Sequence, residues 1–176
     1  YKIMIRVNIE KNHRNWQIIE NDLPVIKATR PKWYSSDVKF FYNGKTYQLK
    51  KKSIWKSTTE ILQGGQLIGS ITHSFSTGYQ VDMNNSNKTY SLTQENKGGM
   101  WKNVKEYTFI EVGPKPIFII KYSRKNFRKE VIQIVKIDLD NSSYDLIIYG
   151  LRLMRLTQLS EAATATPTFY LSLIHI

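Results

Sequence analysis

Apolar and polar residues alternate along most of this chain, and the alternation has period two. Residues 2–9 place Ile3, Ile5, Val7 and Ile9 against Lys2, Met4, Arg6 and Asn8, the pattern of a half-buried strand. Similar short runs follow at 16–19, 24–29, 37–42, 45–50, 58–63, 66–72, 78–83, 88–93, 107–112, 117–122 and 131–139. Turn residues separate them. Asn43-Gly44 between two strand-like runs is a strong hairpin signal, because both positions accept positive φ. Gly64-Gly65 and the stretch Asn84-Asn85-Ser86-Asn87 mark two further hairpins. About ten to twelve strands at spacings of roughly 8–12 residues predict an antiparallel barrel or sandwich, and closure into a barrel removes the exposed edges.

One segment breaks the pattern. Residues 144–159 are apolar on nearly every side of a helical wheel, from Leu146, Ile147 and Ile148 to Leu156 and Leu159. Such a helix has to be surrounded. Ser142, three residues before Asp145, has the spacing of an N-cap with an acidic partner in the first turn. Gly150 is expected to let a strand approach the helix closely. Arg152 and Arg155, three apart and so on one side, are expected to reach the barrel mouth or an internal carboxylate. The fold class read from these patterns is mainly β: a closed antiparallel barrel of about twelve short strands enclosing a C-terminal hydrophobic helix at about 144–159.

Residues 1–159 read as a single domain, with 160–176 as a tail and 160–170 disordered. The final stretch, Leu171 to Ile176, is what the transposase end of a sequencing-library adapter encodes. Residues 171–176 are therefore expected to be translated adapter at the end of a metagenomic fragment. No stretch reaches the roughly 18 apolar residues of a membrane span.

Charge changes the picture more than bulk composition does. The formal net charge is +12 over 176 residues, which favours an anionic partner: a membrane surface, nucleic acid or an acidic protein. The plainer reading is that lysine-rich chains accompany AT-rich genomes. Between Lys27 and Lys56 the cations Arg30, Lys32, Lys39, Lys45, Lys50, Lys51, Lys52 and Lys56 face a single acid, Asp37, with aromatics interleaved. Lys50-Lys51-Lys52 leaving a hairpin can hold lipid headgroup phosphates, each cation near such a surface contributing about 1 kcal/mol. The competing explanation is ordinary alternation, aromatics inward and lysines solvated. A second group, Lys121, Arg124, Lys125, Arg128 and Lys129, flanks Asn126-Phe127. It can be a loop tip that meets a membrane or stacks on a base, or simply a solvated loop. The anionic-ligand candidates are thus Arg30, Lys32, Lys50, Lys51, Lys52, Lys56, Arg124, Lys125 and Arg128.

Catalysis finds little support. Cysteine is absent, which removes disulfides, thiolate metal sites and a cysteine nucleophile. His13 and His73 lack metal-spaced partners, and His175 lies in the adapter-like stretch. His73 sits beside Ser74 and Ser76, but adjacency alone does not make a nucleophile–base pair. The acids are scattered singly, and Gly64-Gly65 and Gly98-Gly99 suit turns better than phosphate loops. No cofactor or metal is expected.

Strands throughout, then an acidic residue opening an apolar C-terminal helix, resembles the tubby C-terminal and LURP-one-related group, with phospholipid scramblases in the same wider superfamily. The residues that carry the likeness run from Asp145 through Leu146, Ile147, Ile148, Tyr149, Gly150, Leu151 and Arg152 to Leu153, preceded by 130–139, together with the segment 66–71 and the hairpin through Tyr79-Gln80-Val81. The likeness covers roughly 37–159. It implies a barrel of about twelve strands threaded by the helix, and phosphoinositide binding through basic residues, although no binding motif matches position by position. The transmembrane and calcium-binding features of scramblases are not evident. The expectation is a non-enzymatic binding module for anionic lipid headgroups, cytoplasmic and peripheral to the membrane. Nucleic-acid binding and a structural or protein-interaction role are the alternatives.

Overall fold

In the computed structural model the described residues are 4–10, 15–30, 37–53, 56–98, 103–125 and 129–164, without the side chains of residues 56, 103, 125 and 129. Twelve strands form one closed barrel: β1 (Met4–Ile9), β2 (Asn15–Glu20), β3 (Leu23–Thr29), β4 (Val38–Tyr42), β5 (Lys45–Ser53), β6 (Lys56–Gln63), β7 (Gln66–Ser74), β8 (Gly78–Met83), β9 (Lys88–Asn96), β10 (Asn103–Glu111), β11 (Lys115–Lys125) and β12 (Lys129–Lys136). Each strand pairs antiparallel with its sequence neighbours. β1 then closes the ring on β12, with Met4 opposite Val135 and Val7 opposite Ile132, so every strand has two partners.

The period-two pattern maps onto the wall as expected. Ile5 and Val7, Trp16 and Ile18, Val38 and Phe40, Tyr47 and Leu49, Tyr107 and Phe109, and Ile132 and Ile134 all point inward and are buried, while their odd-numbered or even-numbered neighbours face outward. The turns between even and odd strands are tight. Asn21-Asp22, Asn43-Gly44 and Gly64-Gly65 have positive φ at both positions, the conformation whose twist matches a two-residue hairpin.

Among the described residues a single helix, α1 (Tyr144–Thr164), follows β12 and fills the barrel. Residues Leu146 to Met154 are buried without interruption. Nine consecutive residues at 3.6 per turn sweep all directions, so this stretch of the helix has no wet face, whereas Leu159 beyond it is exposed. Burial of each large apolar side chain contributes roughly 1.5–3 kcal/mol. Gly150 lies against an aromatic column in which Tyr90, Phe109 and Phe118 stack in series. A Cβ at Gly150 would stand 2.8 Å from the Phe118 ring, so what approaches the helix there is an aromatic side chain rather than strand backbone.

Several boundaries differ from expectation. The helix passes 159 and runs to Thr164, so 160–164 are helical rather than a disordered tail. The extra turn is anchored: Glu161 accepts from Gln94 and pairs with Lys105. Residues 165–176, including the adapter-like stretch, lie outside the described residues. Ser142 does not cap the helix; its hydroxyl donates to the Asp138 carbonyl. The first helical bond runs from the Ile147 N–H to the Ser143 carbonyl at 3.2 Å. β5 extends to Ser53 and β11 to Lys125, so Lys50-Lys51-Lys52 and Arg124 belong to strand ends rather than to loops.

Candidate functional site

The up-and-down order sends every even-to-odd turn to one end of the barrel and every odd-to-even connection to the other. α1 enters at the turn end, where Tyr144 donates to Glu20 and Lys136 lies 4.6 Å above its ring. It exits at the opposite end, the mouth. There the strand ends carrying the two basic stretches of sequence converge, because β3, β5 and β11 all finish at the mouth and β6, β10 and β12 begin there.

A cavity of about 590 Å³ opens at the mouth, within the range of small-molecule sites. Its cationic border is Arg30, Lys105, Arg124, Arg152 and Arg155; its carboxylates are Glu130 and Glu161. Among the described residues, five cations against two acids leave an excess of three. Trp16, Tyr122, Ile9, Leu159 and Ala162 supply the apolar wall.

Arg155 and Lys105 each pair with a carboxylate of the cavity. Arg155 grips Glu130 with both terminal nitrogens, Nη2 to Oε2 at 2.5 Å and Nη1 to Oε1 at 3.1 Å. The Tyr122 hydroxyl donates to the same carboxylate at 3.1 Å. Gln158 accepts from Arg155 at 3.0 Å and donates to the Tyr107 hydroxyl at 3.5 Å. This chain of contacts ties β10, β11 and β12 to the helix. Burial pushes the Tyr107 hydroxyl up to about 12, and burial, reinforced by Glu130, also raises Tyr122. Lys105 pairs with Glu161 at 2.5 Å. Burial would raise the Glu161 carboxyl, yet its bonds to Lys105 and Gln94 hold it below its ordinary value.

Arg152 is different. It is 7% exposed, and its Nε is buried with no hydrogen-bond partner among the described residues. Burial lowers its pKa to about 10, with Arg30 repelling its charge and Asp37 and Tyr79 favouring it. It is still a cation at neutral pH.

Of the residues singled out from sequence, Arg30 and Arg124 border the cavity. Lys50, Lys51 and Lys52 are exposed on the outer end of β5 instead. Lys52 pairs with Glu60 at 3.5 Å, and the Lys51 backbone N–H donates to Asp37 at 3.1 Å. Lys56 starts β6 and Lys125 ends β11; their side chains are not among those described. Lys32 and Arg128 lie outside the described residues. Lys105 was invisible to the reading of charge runs, because it stands alone on β10. Arg152 and Arg155 carried a signal, as the only charges between Leu146 and Leu159.

The possible nucleophile–base pair does not form. His73 packs its ring on Tyr79 and Phe75, while the Ser74 and Ser76 hydroxyls bond each other at 3.0 Å. A smaller cavity of about 210 Å³ lies beside His73, Tyr79, Leu92 and Ser160. Among the described residues, no three His, Asp or Glu side chains could share a metal ion, and no helix is long and apolar enough to cross a membrane. No protein-family model matches this chain, and comparisons with curated proteins and with solved structures return no match.

Proposed function

We propose that this chain is a binding module for anionic lipid headgroups, docking through the mouth of its barrel, and that it is related to the tubby C-terminal and LURP-one group. The observation that carries the reading is the excess of cations around one cavity at one end of the molecule. Arg30 and Arg124 come from separate basic stretches of sequence, and Lys50, Lys51 and Lys52 extend the positive surface outward along β5. Charge scattered for composition alone has no reason to gather at the end where a cavity opens. Each cation brought near an anionic surface contributes about 1 kcal/mol, so a handful suffices for reversible peripheral attachment. The relationship to the tubby-like group is supported by the shared plan, about twelve strands around a C-terminal helix, together with the apolar run after Asp145.

Sedimentation with liposomes of defined headgroup, at low and high salt and with single-stranded DNA as competitor, tests the function. Vesicles containing phosphoinositide or phosphatidylserine should carry the protein down at low salt, neutral vesicles should not, and salt should weaken the attachment. Reversing Lys51 and Lys52 to Glu should reduce it. Displacement by DNA with a steep log–log salt slope would favour nucleic acid instead. Binding to neither would put a protein-interaction domain in front.

A further inference from the structure

Arg152 and Arg155 are three residues apart on one side of α1 and end in opposite situations. Arg155 is committed to Glu130 and Gln158. Arg152 makes no ion pair or hydrogen bond with any described residue, although it is more than nine-tenths buried. A buried guanidinium without a partner is a costly feature, and proteins pair such groups or bind something to them. Tyr149 Oη is also buried and unpartnered, but it borders neither described cavity. Arg152 borders the larger one.

The rest of that cavity narrows the chemistry of what would complete Arg152. Trp16 and Tyr122 present rings that are nearly buried, and Ile9 and Leu159 add aliphatic surface. A buried cation set against such a wall, with further cations at the rim, is poorly matched to an inorganic ion, which leaves the wall unused. A surface that meets the rim cations does not by itself reach a group this deeply buried. The cavity matches a molecule with a charged head and an apolar body.

We infer that the cavity binds one amphipathic organic anion, whose carboxylate or phosphate group pairs with Arg152 and whose hydrocarbon or aromatic body lies against Trp16, Tyr122 and Leu159. The inference rests on the reading of the mouth as an anion site and deepens it by placing a discrete ligand inside the rim. A planar guanidinium can meet either head group with two parallel hydrogen bonds.

The test is thermal unfolding and titration calorimetry of the full chain with octanoate, octyl phosphate, inorganic phosphate and octanol. Octanoate or octyl phosphate should raise Tm by several degrees, because a ligand that binds only the folded state stabilises it. Phosphate should do much less, and octanol nothing. Arg152→Met should raise the ligand-free Tm and weaken octanoate binding by about tenfold or more. Arg152→Gln should show the same loss of binding and serves if the methionine variant does not fold. No response to either amphipathic anion, an equal response to octanol, or undiminished binding in the variants would overturn the inference. So would a lowered ligand-free Tm with octanoate binding intact, since Arg152 would then be structural. Anionic liposomes separate the two readings. Vesicle binding without octanoate binding removes the interior site and leaves the surface reading. Octanoate binding through Arg152 without vesicle binding does the reverse.

Discussion

At the turn end of the barrel, strands reverse within two to four residues, and the charged groups there find close partners. Asp138 pairs with Lys115 at 2.5 Å and accepts from Asn141, Lys88 meets Glu111 at 3.2 Å, and Lys136 meets Glu20 at 3.3 Å. At the mouth, the same strands end around a cavity whose cations outnumber its carboxylates. One end is built from local rules, since a short hairpin dictates its own residues. The other is assembled from positions far apart in sequence, and it carries a surplus that folding alone does not require. Surplus charge at the end free of turn constraints is where a ligand can be accommodated without disturbing the barrel.

The contrast depends first on the helix that spans both ends. Leu151 is 1% exposed at its centre. Leu151→Asp should cost on the order of 5 kcal/mol or more and abolish folding, because it buries an unpaired carboxylate. Circular dichroism during heating checks this; a cooperative melt close to that of the parent would contradict an enclosed helix.

A smaller effect is expected where the mouth is held together. Glu130→Gln leaves Arg155 without its counter-charge in a half-buried site. A loss of about 1–3 kcal/mol in urea unfolding should follow, below the cost for a fully buried pair because both side chains retain some solvent contact. An unchanged midpoint would mean that the network from Tyr122 to Tyr107 does not brace the helix.

At the turn end, Lys115, and after it Asn141, hold the Asp138 carboxyl down to about 2 from an ordinary 3.8. Its pKa is lower folded than unfolded, so the unfolded chain takes up the proton first as pH falls. The contribution is therefore complete above 3.8 and lost as pH drops through about 2. Melting temperatures across the acid range should decline less steeply for Asp138→Asn than for the parent. Identical slopes would show that another group governs this limb.

The smallest change in stability belongs to the rim. Lys51→Glu alters an exposed side chain and should leave stability within about 0.5 kcal/mol, while anionic-vesicle binding falls. A large drop in Tm would place Lys51 in the architecture instead of on the binding surface.

The strands and the helix were legible because each is written in a local period. Alternation at Ile5 and Val7 or at Tyr47 and Leu49 declares an inward face whatever the partner strand may be, and Asn43-Gly44 sets its own turn. The unbroken apolar stretch from Leu146 likewise demands enclosure. Helix ends were less legible. Ser142 has a cap-like spacing, but the Asp138 carboxylate and carbonyl organise that corner, and the turn beyond Leu159 is held by Lys105 and Gln94 from other strands. Arg30, Arg124, Arg152 and Arg155 carried a signal in the sequence, but their meeting at one cavity depended on tertiary structure. Charge runs point equally to Lys50, Lys51 and Lys52 and to Arg30 and Arg124, whereas ring closure brings Arg30, just past β3, together with Lys105, Arg124 and Arg152 from β10, β11 and α1. Local sequence determines which face of each strand is apolar and that the helix is wrapped. Which cations share a cavity, and which of them lacks a partner, follows from barrel closure, because electrostatic neighbours are set by distance in space and not along the chain.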